Sequence, residues 1–129
     1  MKSAFLSVDE ILEIHAFQIE QFGGSTGIRD KGLLQAAAAM PMASFGGEYL
    51  HKDLFEMAAA YLFHIVQNHP FIDGNKRTGA MVAAVFLDMN GIELDVNDDD
   101  FTAMVYVVAS GKMEKEAISN FLRNHAKRI

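Results

Sequence analysis

The sequence contains no cysteine among its 129 residues. A chain without cysteine has no disulfide scaffold, no catalytic thiol and no cysteine zinc site. No apolar run approaches the roughly 18 residues needed to span a bilayer, so we expect no membrane segment. The first residues also lack the long apolar stretch of a signal peptide, and we therefore expect a cytoplasmic protein.

Positive charge is scarce as well. The chain has 11 Lys and Arg against 17 Asp and Glu, a net charge of −6. Because an acidic chain repels phosphate backbones, we do not expect nucleic acid to be its main partner. Hydrophobic residues make up 50% of the chain and charged residues 22%, as in ordinary globular proteins. The length fits a single domain, residues 1–129, with its own core.

The hydrophobic pattern is helical along nearly the whole chain and predicts an all-α fold. A first helix follows Ser7, the start of a predicted capping box, and ends at the Gly23-Gly24 pair. A second helix follows Asp30 and is stopped by Pro41, because the residue before a proline is pushed out of helical geometry. The elements are therefore bounded by recognisable local signals.

Two stretches, Asp53–Asn68 and Lys76–Asn90, are apolar almost all round. A helix without a polar face is usually central, so we predict that these two helices form the middle of the fold. The remaining predicted elements are two helices, a short strand and a flexible loop or hairpin: Asp98–Ala109, Glu114–Lys127, Ile92–Val96 and Met42–His51.

The segment from His69 to Gly79 joins the two central helices and carries the candidate chemistry. His69 precedes a proline, so its helix must stop there and its imidazole is free to face a cleft. Asp73 supplies the hard oxygen ligand that Mg²⁺ takes when it also binds substrate phosphates. Gly74 allows a tight turn or a close approach of the backbone to a ligand.

The start of the next helix has the features of an anion site. Asn75 is predicted to cap this helix, with Lys76 and Arg77 in its first turn. Cations there oppose the helix dipole, at roughly 0.3–1 kcal/mol each, and a phosphate bound by them and by the unpaired N–H groups would offset that cost. A base, a metal carboxylate and an anion site so close together indicate phosphoryl or nucleotidyl transfer to a hydroxyl.

The residues from His69 to Arg77 resemble the signature of the Fic/Doc (Fido) superfamily, His-x-Phe-x-(Asp/Glu)-Gly-Asn-(Gly/Lys)-Arg. The Asn-Lys-Arg form, together with upstream residues between Gly23 and Leu34, is similar to the death-on-curing (Doc) toxin branch. The resemblance extends from about Val8 to the last helix. It implies a helical bundle with a central helix, motif loop and second helix.

The resemblance also implies roles for the motif residues. His69 would be the base that takes the proton of the target hydroxyl, and Asp73 would bind Mg²⁺. Backbone N–H groups would form an anion hole, and two cations would hold the phosphates of ATP. The implied nucleotide-binding residues are Gly74, Asn75, Lys76 and Arg77.

Two positions favour phosphate transfer over adenylyl transfer. Adenylylating Fic enzymes resemble one another in a glycine before the motif arginine and a second arginine three residues after it; here those positions are Lys76 and Ala80. Doc-like members with this pattern are protein kinases that act on a threonine of translation elongation factor Tu and arrest translation. We therefore predict a toxin that phosphorylates a protein hydroxyl. The alternatives are a protein adenylyltransferase and a non-catalytic peptide-binding domain.

The inhibitory motif of some Fic proteins, (Ser/Thr)-x-x-x-Glu-(Gly/Asn), is not cleanly present. Ser44 and Glu48 come nearest, but Tyr49 follows them. The resemblance therefore implies inhibition in trans, by a Phd-like antitoxin. Residues Met42–Lys52 occupy the place where Fic-type proteins carry a flap that aligns the target chain.

Three further polar residues stand near these features. His15 lies on the apolar face of the first predicted helix, and we expect it to be packed or partly buried. Arg29 and Asp30 fit two interpretations equally well. They could be a loop residue and a helix cap, or they could act near the cleft.

Overall fold

The computed structural model describes residues 3–128, so the ends of the predicted domain lie outside the described residues. The fold is mainly helical, as predicted, with two small antiparallel strand pairs added to it. The helices are α1 (Val8–Phe22), α2 (Lys31–Ala39), α3 (Leu54–Asn68), α4 (Asn75–Met89), α5 (Asp98–Ala109) and α6 (Lys115–Asn124). The strands are β1 (Ser44–Phe45), β2 (Glu48–Tyr49), β3 (Ile92–Leu94) and β4 (Ala126–Arg128). Between residues 3 and 128, no helix combines the length and the apolar character needed to cross a membrane.

Local capping signals determine where most helices begin and end. Ser7 and Glu10 form the predicted capping box at the start of α1. The side chains of Asp30 and Asp53 accept backbone N–H groups of the first turns of α2 and α3. The chain leaves α2 through a short 3₁₀ turn that contains Pro41. These boundaries confirm the sequence-based predictions.

The centre of the molecule is α3, which packs against α2, α4, α5 and α6. Its closest neighbour is α4, and Gly79 is the residue that permits the close approach. A Cβ atom at Gly79 would lie 2.9 Å from Val66 Cγ2 and 3.3 Å from the Leu62 carbonyl oxygen. Because these helices are apolar and tightly packed, the loop that joins them is held between two rigid ends.

The predicted helix Glu114–Lys127 is wrong beyond Asn124. The chain turns at His125, and Ala126–Arg128 forms a strand that pairs antiparallel with β3. The strand predicted at Ile92–Val96 exists but is shorter. Pairing with a distant strand satisfies the backbone groups of both segments, and this tertiary gain outweighs the helical pattern of the last residues.

The segment after the 3₁₀ turn forms a hairpin, one of the two alternatives that its sequence allowed. Phe45 pairs with Glu48 across the Gly46-Gly47 turn. The Phe45 side chain is 83% exposed. The hairpin thus presents a large apolar side chain to solvent, next to the buried helices.

A polar cluster joins α3 to the beginning of α6. The ammonium of Lys115 lies 3.2 Å from His64 Nε2 and 3.4 Å from His51 Nε2. Burial, and then the positive charge of Lys115, lower the pKa of His64 to about 4. The same two causes lower the pKa of His51. Both imidazoles are therefore neutral and accept hydrogen bonds from the ammonium.

We expect acid to destabilise the protein through this cluster. His64 titrates near 6.5 in the unfolded chain but near 4 in the folded one. The unfolded state binds more protons between these values, so the free energy of unfolding should fall as the pH is lowered from 6.5 towards 4. His64→Gln keeps a neutral acceptor and should flatten this dependence, as measured by urea denaturation at a series of pH values.

Lys115→Met is the companion variant. It removes the charge of Lys115, which is the second largest of three causes of the lowered His64 pKa, and should flatten the pH dependence partly. A slope that is unchanged in His64→Gln would show that the acid sensitivity originates elsewhere.

Candidate active site

The loop between α3 and α4 begins with an unusual backbone conformation at His69. This residue is the C-cap of α3, with φ 52° and ψ 53°. It is the one non-glycine residue with positive φ in the described part of the chain. The left-handed conformation costs a non-glycine residue roughly 1–2 kcal/mol. Such strain is concentrated at functional sites, where the surrounding structure maintains it.

Residues 23–30 run antiparallel along this loop and support it. Phe71 forms an isolated β-bridge with Ile28. The N–H of Ile72 donates to the carbonyl oxygen of Gly27 at 3.1 Å. The upstream residues that resemble the Doc branch are thus in direct contact with the motif loop.

The carboxylate of Asp73 is held by two backbone amides. Its Oδ2 accepts from Ser25 N–H at 3.1 Å, and its Oδ1 accepts from Gly74 N–H at 2.8 Å. These two hydrogen bonds, and then the charges of Arg77 and Lys76, lower the pKa of Asp73 below its ordinary value. The carboxylate is therefore ionised at neutral pH, in the form that can bind a metal ion.

A magnesium ion at Asp73 would take most of its ligands from the substrate. Among residues 3–128, no three His, Cys, Asp or Glu side chains are grouped as metal ligands. Mg²⁺ in phosphoryl-transfer sites is commonly bound by one or two carboxylates, with phosphate oxygens and water completing its shell. The single carboxylate therefore fits a metal that binds together with a nucleotide.

Asn75 does not cap α4, contrary to the prediction. The N-cap is Gly74, with φ 78°, and no side chain in the described part of the chain caps this helix. The buried amide of Asn75 instead turns back to Phe71, donating to its carbonyl oxygen at 3.0 Å and accepting from its N–H at 2.9 Å. The buried backbone of Phe71 needs these partners, which is the physical reason for the difference. The Asn75 side chain therefore shapes the loop.

The first turn of α4 presents unpaired backbone N–H groups. The first N–H groups of any helix have no intrahelical acceptor. Gly74 N–H is engaged by Asp73, so the groups of Asn75, Lys76 and Arg77 remain. Together with the positive end of the helix dipole, they are suited to bind an anion.

Two cations extend this anion site to either side. Arg77 donates to the Gly23 carbonyl oxygen at 3.0 Å, and its Cζ lies 5.7 Å from the centre of the Phe22 ring. Lys76 Nζ lies 5.3 Å from the centre of the Tyr106 ring on α5. Within the described chain neither cation forms a salt bridge. Their charges are therefore available to a bound anion.

A groove of about 730 Å³ opens beside the start of α4, between α1 and α5. Residues 73–77 line its polar end. Phe22, Met81 and Val105 contribute apolar walls, and Thr102 lies along α5. The groove thus combines an anion site with an apolar trough.

His69 is the one predicted site residue that does not line this groove. Its side chain is exposed at the end of α3, four residues before Asp73 on the same loop. Its ring forms no hydrogen bond to another residue between 3 and 128. The helix ends at His69, as predicted, through a left-handed backbone, and the residue is exposed to solvent.

Two buried residues of α1 contact the site, and sequence reasoning missed these contacts. His15, predicted only to be packed, stacks on Phe71 with ring centres 3.8 Å apart and planes 5° apart. Its Nε2 lies 2.8 Å from the Asp73 carbonyl oxygen and must carry a proton, because a carbonyl only accepts. Gln18, one turn later, is buried and lines the groove, and its amide nitrogen has no hydrogen-bond partner among residues 3–128. The available signal was the three-residue spacing of two polar residues on an apolar face.

Gly24 allows the carboxylate of Asp73 to approach the backbone. Its φ is 117°, and a Cβ there would lie 2.6 Å from Asp73 Oδ2. Gly24→Ala should displace the carboxylate from Ser25 N–H and raise the pKa of Asp73 towards its ordinary value. Titration of the Asp73 carboxyl carbon by NMR would measure this change.

Gly23→Ala is the matched control. Gly23 also has a positive φ, 83°, but a Cβ there would meet no atom within 4 Å. Both variants should lose stability, by about 1 kcal/mol or more. Only Gly24→Ala should change the pKa of Asp73, and equal changes in both would assign the effect to backbone strain.

Comparison with known proteins agrees with this arrangement. The model of the Fic/DOC family matches residues 5–87, which include α1 to α3, the motif loop and most of α4. The chain is 30% identical over 118 residues to "Protein kinase doc" of Escherichia phage P1, covering 92% of each chain. It is 44% identical over 78 residues to "Toxin Doc" of Mycolicibacterium smegmatis (strain ATCC 700084 / mc(2)155). That alignment covers 60% of each chain, so it spans less than two thirds of this relative.

The family match covers well over half of the chain and includes the whole motif loop. The relative from phage P1 is similar along nearly its full length. The chain therefore belongs to the Fic/DOC family.

Proposed function

We propose that this protein is a toxin that transfers the γ-phosphate of ATP to a hydroxyl of a protein substrate. One observation carries the proposal: an ionised carboxylate, the first backbone amides of α4 and two cations that form no salt bridge within residues 3–128 meet at one end of a groove. Relatives that carry the words toxin and protein kinase in their names support the same activity.

The start of α4 would hold the phosphates of ATP. The N–H groups of Asn75, Lys76 and Arg77 point at the anion position, and the two cationic side chains flank it. Asp73 would hold Mg²⁺ against the same phosphates. Mg²⁺, when bound, neutralises part of the charge on the phosphate oxygens.

His69 would act on the acceptor side of the transfer. The hydroxyl oxygen forms a bond to the γ-phosphorus, the bond from that phosphorus to the β–γ bridging oxygen breaks, and ADP leaves. A ring nitrogen of His69 takes the hydroxyl proton. Since the attacking and leaving oxygens lie roughly in line, a base outside the nucleotide groove is suitably placed for a hydroxyl that arrives from solvent.

The cations in the groove support transfer of the terminal phosphate. Adenylylating relatives have a second arginine at the position of Ala80, which here lines the groove without a charge. The positive charge is instead concentrated at the helix start, on Lys76 and Arg77. This distribution favours seating the phosphate that is transferred at the helix start.

The resemblance to Doc suggests a threonine of translation elongation factor Tu as the target, with arrest of translation as the result. The hairpin in Met42–Lys52 is suited to align a target chain, because it carries exposed backbone and the exposed ring of Phe45.

Transfer of labelled phosphate tests the proposed reaction. With Mg²⁺ and elongation factor Tu, ATP labelled at the γ-phosphate should label the target, and ATP labelled at the α-phosphate should not. His69→Asn should lower the rate by roughly 10²–10⁴-fold, because the base is lost. Asn tolerates the left-handed backbone, so the loop should keep its shape and ATP binding should be retained.

The two alternatives have distinct outcomes. Label from the α-phosphate would identify a protein adenylyltransferase. Growth arrest that survives His69→Asn, without transfer of any label, would identify a domain that acts by binding alone.

We also propose that a Phd-like antitoxin inhibits the protein from the groove. The trough between α1 and α5 has apolar walls and a polar end, which suits one face of an amphipathic peptide. Such a peptide would lie next to the phosphate position and exclude the nucleotide.

A positive charge introduced into the groove tests whether the antitoxin binds there. Thr102→Arg puts a cation on the α5 wall and should prevent a co-expressed antitoxin from suppressing growth arrest. Ala103→Arg, one residue along α5 and not part of the groove lining, is the matched control and should leave suppression intact. If the antitoxin suppresses growth arrest by both variants equally, it binds another surface.

A further inference from the structure

Three consecutive carbonyl groups around His69 accept hydrogen bonds from one residue, Arg29. Arg29 Nη2 donates to the Asn68 carbonyl oxygen at 2.9 Å, and Nε donates to the His69 carbonyl oxygen at 2.6 Å. The backbone N–H of Arg29 donates to the Pro70 carbonyl oxygen at 2.7 Å. Arg29 thus holds the end of α3 through both its side chain and its backbone.

The imidazole of His69 has no comparable support. It is exposed, and between residues 3 and 128 its ring has no hydrogen-bond partner. The backbone at His69 sets the direction of its Cα–Cβ bond, and its φ of 52° is one that residues other than glycine rarely adopt. Whatever holds the neighbouring carbonyl groups therefore also determines where this side chain leaves the backbone.

We propose that Arg29 is the positioning residue for His69, holding its backbone in the left-handed conformation from which the imidazole reaches the acceptor hydroxyl. The inference rests on the proposed function, since it takes His69 to be the base. It adds a component that lies in a different segment of the chain, outside the motif His69–Arg77.

A residue that only caps α3 would not need to donate from two nitrogens to two carbonyl oxygens. Any cation near the end of α3 would interact favourably with the helix dipole, and a lysine would provide that charge. The guanidinium donates from two separate nitrogens held in one plane, Nε to His69 and Nη2 to Asn68, whereas a lysine ammonium donates from a single nitrogen without that fixed geometry. Charge and geometry can therefore be separated by substitution.

The nucleotide side of the loop is held by other residues. His15 contacts the Asp73 carbonyl oxygen, and Asn75 pairs with both backbone groups of Phe71. A change at Arg29 should therefore move His69 and leave the phosphate position in place.

Steady-state kinetics of Arg29→Lys and Arg29→Ala provide the first test. We expect kcat for transfer to the protein target to fall roughly 10–100-fold, because the base is misplaced. The KM for ATP should stay within about twofold of wild type, because binding is untouched. Lys31→Gln is the matched control: it removes an exposed neighbouring cation outside this network and should leave both constants unchanged.

Chemical rescue separates the planar donor geometry of the guanidinium from its positive charge. Arg29 is exposed, so a small solute can reach the space vacated in Arg29→Ala. Ethylguanidinium should restore part of kcat, whereas ethylammonium at the same concentration should not. Backbone carbon shifts of His69 in Arg29→Lys should lose their left-handed values, while the shifts of residues 75–77 should stay the same.

The inference is overturned if Arg29→Lys retains the wild-type kcat, or if ethylammonium rescues as well as ethylguanidinium. It is also overturned if kcat, ATP binding and the unfolding midpoint decline together, since Arg29 would then be merely structural. If the wild-type protein transfers no label, the proposed function fails, and the carbon shifts of His69 still decide whether Arg29 sets its conformation.

Discussion

The antiparallel contact between residues 23–30 and the loop after α3 is the interaction on which the site depends. Through it, Ser25 holds the carboxylate of Asp73, and Arg29 holds the carbonyl groups around His69. The helices on either side of the loop do not by themselves position His69 or Asp73. The tight packing of α3 against α4 at Gly79 provides the fixed ends between which this contact can act.

The start of α4 carries positive charge, whereas the chain as a whole is acidic. The chain carries a net charge of −6, yet Lys76 and Arg77 stand at a helix N-terminus and form no salt bridge within residues 3–128. This arrangement opposes the helix dipole and is unfavourable in the free protein. A bound phosphate reverses the sign of these interactions, so stability is given up locally where an anion is to be bound.

Local rules predicted most of the helices, and they failed where distant contacts decide. The capping box at Ser7 and the break at Pro41 are interactions within a few residues, and both could be recognised in the sequence. The end of α6 could not, because Ala126–Arg128 pairs with β3, a segment far away in the chain. Asn75 is a different case, because its partner Phe71 is only four residues away: the amide bonds to the buried backbone of Phe71 and not to the first turn of α4.

The order of residue types from His69 to Arg77 was enough to indicate phosphate chemistry and the family, because base, carboxylate and cations lie within one short segment. Tertiary structure alone decided which parts of that segment share the groove and which face solvent. It also brought His15, Gln18 and Arg29 to the loop, residues that are 39 or more positions away from their partners or from the groove's polar end. Their roles depend on distances between separate segments of the chain. Hydrophobic periodicity predicts the individual helices but not these distances.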